Sequence, residues 1–291
     1  MQMKFLIFVA FGLLILSCNT KKLIHKEGIV KFYVDSATNS EDPEIRMAYG
    51  LNIVPPWSDG GSIFVNLPEH LEYMPETKGI TRHHDNRKNV WQITTDSTEA
   101  NYEVESNTEP GIFFSVKAMT ADYAATFEFT IDNRSEKLLK SIRPLFCFQY
   151  NMLKGFPDKL SDNFSHSYII INGKPVSVAS LAVNDTSAIA RMAQVKGCKD
   201  EHNWWAQKMG GFIEQRIDAA YTILTSIDND RKIIVYWTPG KNFLSNAAIP
   251  CIHADPCMGD LAPGKSVTVN GELIFTRAPM EQIIKEFPVK R

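Results

Sequence analysis

The chain has 291 residues, 44% of them apolar and 22% charged, which supplies a full hydrophobic core and excludes a disordered or low-complexity protein. A formal net charge of −2 leaves no basic field to attract a phosphate backbone, so nucleic acid is not an expected partner. The length fits one large β-sandwich.

The first segment carries Lys4, an unbroken apolar run from Phe5 to Leu16, then Ser17 and Cys18. A positive start, a short apolar core and a small residue before a cysteine form a secretory signal. The run is 12 residues long, against the roughly 20 that a helix needs to cross a bilayer. Ile15-Leu16-Ser17-Cys18 resembles a bacterial lipobox, which implies cleavage before Cys18 and acylation of that residue. The expected organisation is a signal peptide over 1–17, a lipidated tether over 18–27 and a single β-sandwich domain over 28–291. Lipid on Cys18 would then hold the protein to a membrane of the bacterial cell envelope. Asn19 is not an acidic retention signal, so the outer membrane is the expected address.

From Gly28 onward, β-branched and aromatic runs alternate with turn signals. Ile29–Val34, Ser62–Val65, Asn89–Ile93 and Gly111–Val116 read as strands. Ala125–Ile131 alternates apolar with polar residues, the pattern of a half-buried strand, and Asp132–Ser135 turns the chain. Tyr168–Ile171 and Lys174–Val178 flank Asn172-Gly173, whose tolerance of positive φ suits a tight hairpin. A second hairpin joins Tyr221–Ile227 to Lys232–Trp237. Helical spacing is confined to Pro279–Phe287, where Met280, Ile283, Ile284 and Phe287 share a stripe, and to a weaker stretch over Val183–Met192. The fold class is therefore all-β, a large antiparallel β-sandwich closed by a short C-terminal helix.

Four cysteines follow Cys18, an even number in a compartment where disulfides persist. Cys251 and Cys257 sit six apart in a stretch containing Pro250, Pro256 and Gly259, so a local bridge in a loop is the first expectation, with Cys198–Cys251 the alternative. Cys147, inside Leu145-Phe146-Cys147-Phe148, reads equally well as a buried thiol.

The chain has no Gly-rich phosphate loop, no G-x-S-x-G elbow and no H-E-x-x-H helix. Its densest chemistry lies in Cys251-Ile252-His253-Ala254-Asp255-Pro256-Cys257, followed by Leu261-Ala262-Pro263-Gly264-Lys265 and the strand Ser266–Phe275. This Pro-Gly turn and strand, together with Phe129–Leu139 upstream, resemble the closing and central elements of aldose 1-epimerase-like (galactose mutarotase-like) proteins. The resemblance implies a supersandwich whose concave face holds a carbohydrate. It also implies ring-opening chemistry by a glutamate base and a histidine acid. His253 stands where that glutamate is expected, and Phe146–Asn151, where the acid histidine is expected, contains none.

Three candidate catalytic residues follow: His253 as base or acid, Asp255 as its partner and Arg143 as stabiliser of developing negative charge. Ligand contacts are expected from Trp57 and Trp204, whose rings suit the C–H faces of sugars, and from Gln149, Asn151 and His202, which suit hydroxyls. Trp91 and Trp237 lie within strand patterns and read as core. His253, Asp255 and His202 could be combined with cysteines as metal ligands, but C-x-H-x-D-x-C is no established zinc spacing, so neither metal nor cofactor is expected. The sequence thus points to an envelope lipoprotein that binds or modifies a carbohydrate, against the alternative of a structural or assembly lipoprotein of the outer membrane without a small ligand.

Overall fold

A computed structural model describes residues 28–34, 48–57, 60–74, 81–83, 89–158, 163–198 and 211–286. The lipidation site Cys18 and the predicted contacts His202 and Trp204 lie outside the described residues. The first half of the chain forms β1 (Lys31–Tyr33), β2 (Gly50–Val54), β3 (Ile63–Met74), β4 (Thr81–His83), β5 (Gln92–Ile93), β6 (Glu99–Glu105), β7 (Ile112–Ala121), β8 (Ala124–Asn133) and β9 (Leu139–Gln149). A one-turn helix, α1 (Asn163–His166), leads into β10 (Ser167–Ile171), β11 (Lys174–Ser177), β12 (Ala190–Gln194), β13 (Tyr221–Thr225) and β14 (Lys232–Thr238). The remainder is β15 (Gly240–Asn246), β16 (Cys251–Pro256), β17 (Gly259–Leu261), β18 (Lys265–Thr276) and the helix α2 (Met280–Glu286).

These strands build two nine-stranded antiparallel sheets. The first runs β1-β2-β3-β9-β16-β15-β12, with β4 beside β3 and β17 beside β9; the second runs β11-β10-β13-β14-β18-β8-β7-β6-β5. The fold is the β-sandwich expected. Aromatic side chains join the layers: Phe129 of β8 meets Phe146 of β9 at 5.1 Å between ring centroids, and Phe146 meets Trp237 of β14 at 4.3 Å. All three are buried, at roughly 1.5–3 kcal/mol of transfer free energy for each Phe. Trp237 lies across Gly271 of β18, its cross-strand neighbour, where a Cβ would meet indole atoms at 2.5 Å; only glycine fits that position.

Local signals place several elements. Asn172 and Gly173 have φ of 52° and 73°, and Ile171 pairs with Lys174 across them, as a two-residue hairpin requires. Pro279 precedes α2, and its carbonyl accepts the amides of Gln282 and Ile283.

Three expectations are corrected. Val183–Met192 is not helical: its end enters β12, because Ala190 and Met192 face packed surroundings as strand residues paired with β15. The segment Cys251–Pro256 is no loop but a fully buried strand between β9 and β15. That strand overturns the Cys251–Cys257 bridge, since six residues of extended chain separate the two by roughly 20 Å, beyond any disulfide. Cys257 instead pairs with Cys198 at a Cα–Cα distance of 6.2 Å, and Cys147 and Cys251 are buried free thiols, so the Cys198–Cys251 alternative is also set aside.

Candidate functional site

Strand alternation divides β16 between two faces. Ile252 and Ala254 enter the core between the sheets, while Cys251, His253 and Asp255 turn to the outward face of the first sheet. Cross-strand partners share that face: Asn246, Leu244 and Asn242 on β15, Gln149 on β9 opposite Cys251, and Met192 and Gln194 on β12. On the far side of β9, the face continues through Asn66, His70 and Glu72 of β3, opposite Cys147, Leu145 and Arg143. Between Asn66 and His70 the β3–β9 register slips, and Pro68, which has no amide to donate, sits inside this bulge. The extra residues re-aim β3 so that Glu69 and His70 meet Cys147, Gln149, Asn246, Cys251 and His253 around a pocket of about 90 Å³. That volume has room for roughly three waters at ~30 Å³ each. Leu145, Leu244 and Ile249 complete the walls.

A thiol–imidazole cluster forms the pocket floor. Cys251 Sγ lies 3.5 Å from His253 Nε2, and the two sulfurs and a His253 ring nitrogen all lie within 4.8 Å of one another. The hydrogen bond with Cys147 lowers the Cys251 pKa, burial opposes this, and the His253 charge adds to the lowering, leaving the thiol at about 6. Burial alone would depress His253, but the Cys251 thiolate beside it reverses the effect and raises the imidazole to about 9. The hydrogen bond with Cys251 and then burial push Cys147 well above the ordinary thiol range. These shifts all run in one direction: the proximity of imidazole and thiol favours negative charge on Cys251 and positive charge on His253, and it disfavours ionisation of Cys147.

Beside this cluster lies a buried polar group. β9 and β16 stay paired only through Cys251 opposite Gln149 and Ile252 opposite Phe148; beyond that, β9 takes β17 as its partner. The Asp255 carboxylate fills the opening, accepting the Phe146 amide at 2.8 Å and the Asn242 side-chain amide at 2.6 Å. Burial raises Asp255 to about 6 against the lowering by His253 and these hydrogen bonds. Glu72, Arg143 and Lys241 are also buried on this part of the chain, with Lys241 at a bulge in β15. Burial first, then the Arg143 charge, lowers Lys241 to about 6; burial likewise lowers Arg143, against the pull of Glu72. Charges this enclosed persist only when they satisfy one another.

His253, Asp255 and Arg143 therefore share one face, and Gln149 joins His253 at the pocket. Asp255 does not hold the His253 ring: its oxygens are taken by Phe146 and Asn242, and His253 Nδ1 has no hydrogen-bond partner among the described residues. Asn151 is exposed in the turn after β9 and does not line the pocket. Trp57 is no ligand contact: it is 7% exposed in the core, stacked on Phe156 at 5.8 Å and edge-on to Phe275 at 5.3 Å, with the Arg231 guanidinium 5.4 Å from its ring. Its large apolar surface outweighs the loop-like Pro/Gly sequence around it. Trp91 and Trp237 are core residues, as expected. Glu69, His70 and Asn242 are not singled out by the sequence, and Cys147, read there as a disulfide partner or a buried thiol, is a buried free thiol at the pocket. The available signal was period-two alternation, which puts Leu145, Cys147 and Gln149 opposite Phe146 and Phe148, and Cys251, His253 and Asp255 opposite Ile252 and Ala254.

No protein-family model matches the chain, and no curated protein matches it. Solved structures do. A putative aldose 1-epimerase from Escherichia coli K12 is similar at 9% identity and a TM-score of 0.43, covering 79% of this chain and 97% of its own. A galactose mutarotase related enzyme from Lactobacillus acidophilus is similar at 10% identity and a TM-score of 0.44, covering 80% and 96%. A polysaccharide lyase is similar at 12% identity and a TM-score of 0.43; the match covers 89% of this chain but 34% of the lyase. Each of the three is named for a sugar or a polysaccharide.

Proposed function

We propose that this chain is an envelope lipoprotein, anchored through lipid on Cys18 at the outer membrane, that binds a carbohydrate on the outward face of its first sheet. The observation that carries the binding site is the composition of the pocket over β9 and β16. Glu69, His70, Gln149, Asn246 and His253 supply donors and acceptors around one opening, and Leu145, Leu244 and Ile249 supply aliphatic surface. Sugars need both kinds of wall, since each ring carries hydroxyls that donate and accept and C–H patches that shed water. A pocket of about 90 Å³ suits the end of a glycan or a single ring edge rather than a buried oligosaccharide. The anchor rests on the signal-like segment from Lys4 to Cys18.

The test is a glycan array probed with the full-length chain, followed by titration of any hit and a search for its chemical conversion. Gln149→Ala and Asn246→Ala are expected to weaken binding while the fold persists. An array without a specific hit, or a hit indifferent to both substitutions, removes the proposal. Labelling with palmitate in cells, abolished by Cys18→Ser, is the expected signature of the anchor.

A further inference from the structure

We propose that Cys147, Cys251 and His253 form a zinc-binding site whose fourth coordination position opens into the pocket beside Glu69 and His70. The donor atoms of these three residues already lie within 4.8 Å of one another. In a tetrahedral site with Zn–S near 2.3 Å and Zn–N near 2.0–2.1 Å, a sulfur and a nitrogen ligand stand about 3.5 Å apart and two sulfurs about 3.8 Å apart. The observed 3.5 Å from Cys251 Sγ to His253 Nε2 matches the first of these edges without rearrangement.

The chemistry of the donors points the same way. Two thiols and an imidazole favour zinc over calcium or magnesium, which take oxygen ligands. Two thiolates neutralise a divalent cation, so the filled site carries no net charge into a buried place. On binding, the ion displaces the thiol proton of Cys147 and the single proton shared by Cys251 and His253. The scaffold is preformed, because Cys251 and His253 are alternate residues of one buried strand and Cys147 lies on its neighbour. His253 is 3% exposed and lines the pocket, so its ring is enclosed at the cluster and borders the space left for a fourth ligand. Three protein ligands and one open position are the arrangement of reactive zinc, and the pocket leaves room there for a water or a hydroxyl group.

The inference does not depend on carbohydrate binding, and its test uses no sugar. Full-length chain is prepared with zinc in the medium, dialysed without chelator, and examined by elemental analysis, thiol titration under denaturing conditions and disulfide mapping. One zinc per chain is expected, with Cys147 and Cys251 both reduced. Replacement by Co²⁺ should give a thiolate-to-cobalt charge-transfer band and tetrahedral visible bands. Cys147→Ser and His253→Gln should each lose the ion, while Cys198→Ser, outside the cluster, should keep it. If the cluster variants fail to fold, the cobalt spectrum of the unaltered chain decides. A metal-free chain with both thiols free, a Cys147–Cys251 disulfide, a cobalt spectrum without thiolate bands, or zinc retained undiminished in both cluster variants would each overturn the proposal.

Discussion

Replacing Asp255 by alanine should destabilise the fold by an amount that depends on pH in a defined direction. The carboxylate accepts the Phe146 amide and the Asn242 side chain in a buried gap between β9 and β16. Asp255→Ala leaves both donors buried without an acceptor, at about 1–3 kcal/mol each, so the loss is about 2–6 kcal/mol. A second effect opposes it. Burial raises this carboxyl to about 6, against about 3.9 in an unfolded chain, a difference worth about 3 kcal/mol. The folded chain binds this proton more tightly than the unfolded one. Its contribution is therefore complete below about pH 4 and is lost as pH rises through 6. The alanine variant has no such loss to suffer, so its penalty of about 2–6 kcal/mol at pH 4 should shrink by about 3 kcal/mol at pH 8. Urea unfolding of both proteins at the two pH values gives the four stabilities needed. A penalty that stays constant or grows between pH 4 and pH 8 would refute the reasoning, since it would mean that the ionised carboxylate is favoured by its surroundings.

Trp57→Ala should cost about 3–5 kcal/mol in urea unfolding and leave glycan affinity of the folded chain unchanged, because the ring packs on Phe156 and Phe275. A loss of affinity with unchanged stability would return Trp57 to the binding site. Breaking the Cys198–Cys257 bridge, which spans 59 residues, should cost about 4 kcal/mol by the loop-closure relation, measured by unfolding Cys198→Ser against the native chain. Alkylation of Cys251 in the metal-stripped chain should accelerate through about pH 6, because the attacking thiolate forms above its lowered pKa, where an unperturbed thiol would accelerate near 8.5. His253→Gln should move that inflection upward, since it removes the positive charge beside the thiolate. An inflection unmoved by the substitution would show that the pair is not electrostatically linked.

The layered β-architecture was readable because its signals are local. Asn172-Gly173 dictates a hairpin, Ala125–Ile131 shows period two directly, and Pro279 with the Met280, Ile283, Ile284 stripe marks the last helix. The site was readable only in part, because it is assembled across strands. His253 and Asp255 stand out in the dense Cys251–Cys257 segment, Arg143 is expected as a stabiliser of negative charge and Gln149 as a hydroxyl partner, and the four lie on one face. Cys147 and Cys251 could not be brought together from sequence, since their strands are far apart in the chain and adjacent only in the sheet order. In sequence β16 reads as a loop because Pro250 precedes it, Pro256 ends it, Gly259 follows, and two of its six residues, His253 and Asp255, are polar. Those polar residues are buried against neighbours that complement them, and tertiary context overrides propensity there. Trp57 fails for the converse reason: a Pro/Gly-rich segment need not be exposed when it carries an indole that the core can enclose.

Hydrogen exchange of the full-length chain with and without a glycan selected on the array locates the binding face without altering any residue. Protection should concentrate in Leu145–Gln149 and Leu244–His253, the segments that wall the pocket. Protection instead on the opposite face, at Lys117, Glu128 and Glu272 of the second sheet, would contradict the assignment of the outward face of the first sheet as the site of function.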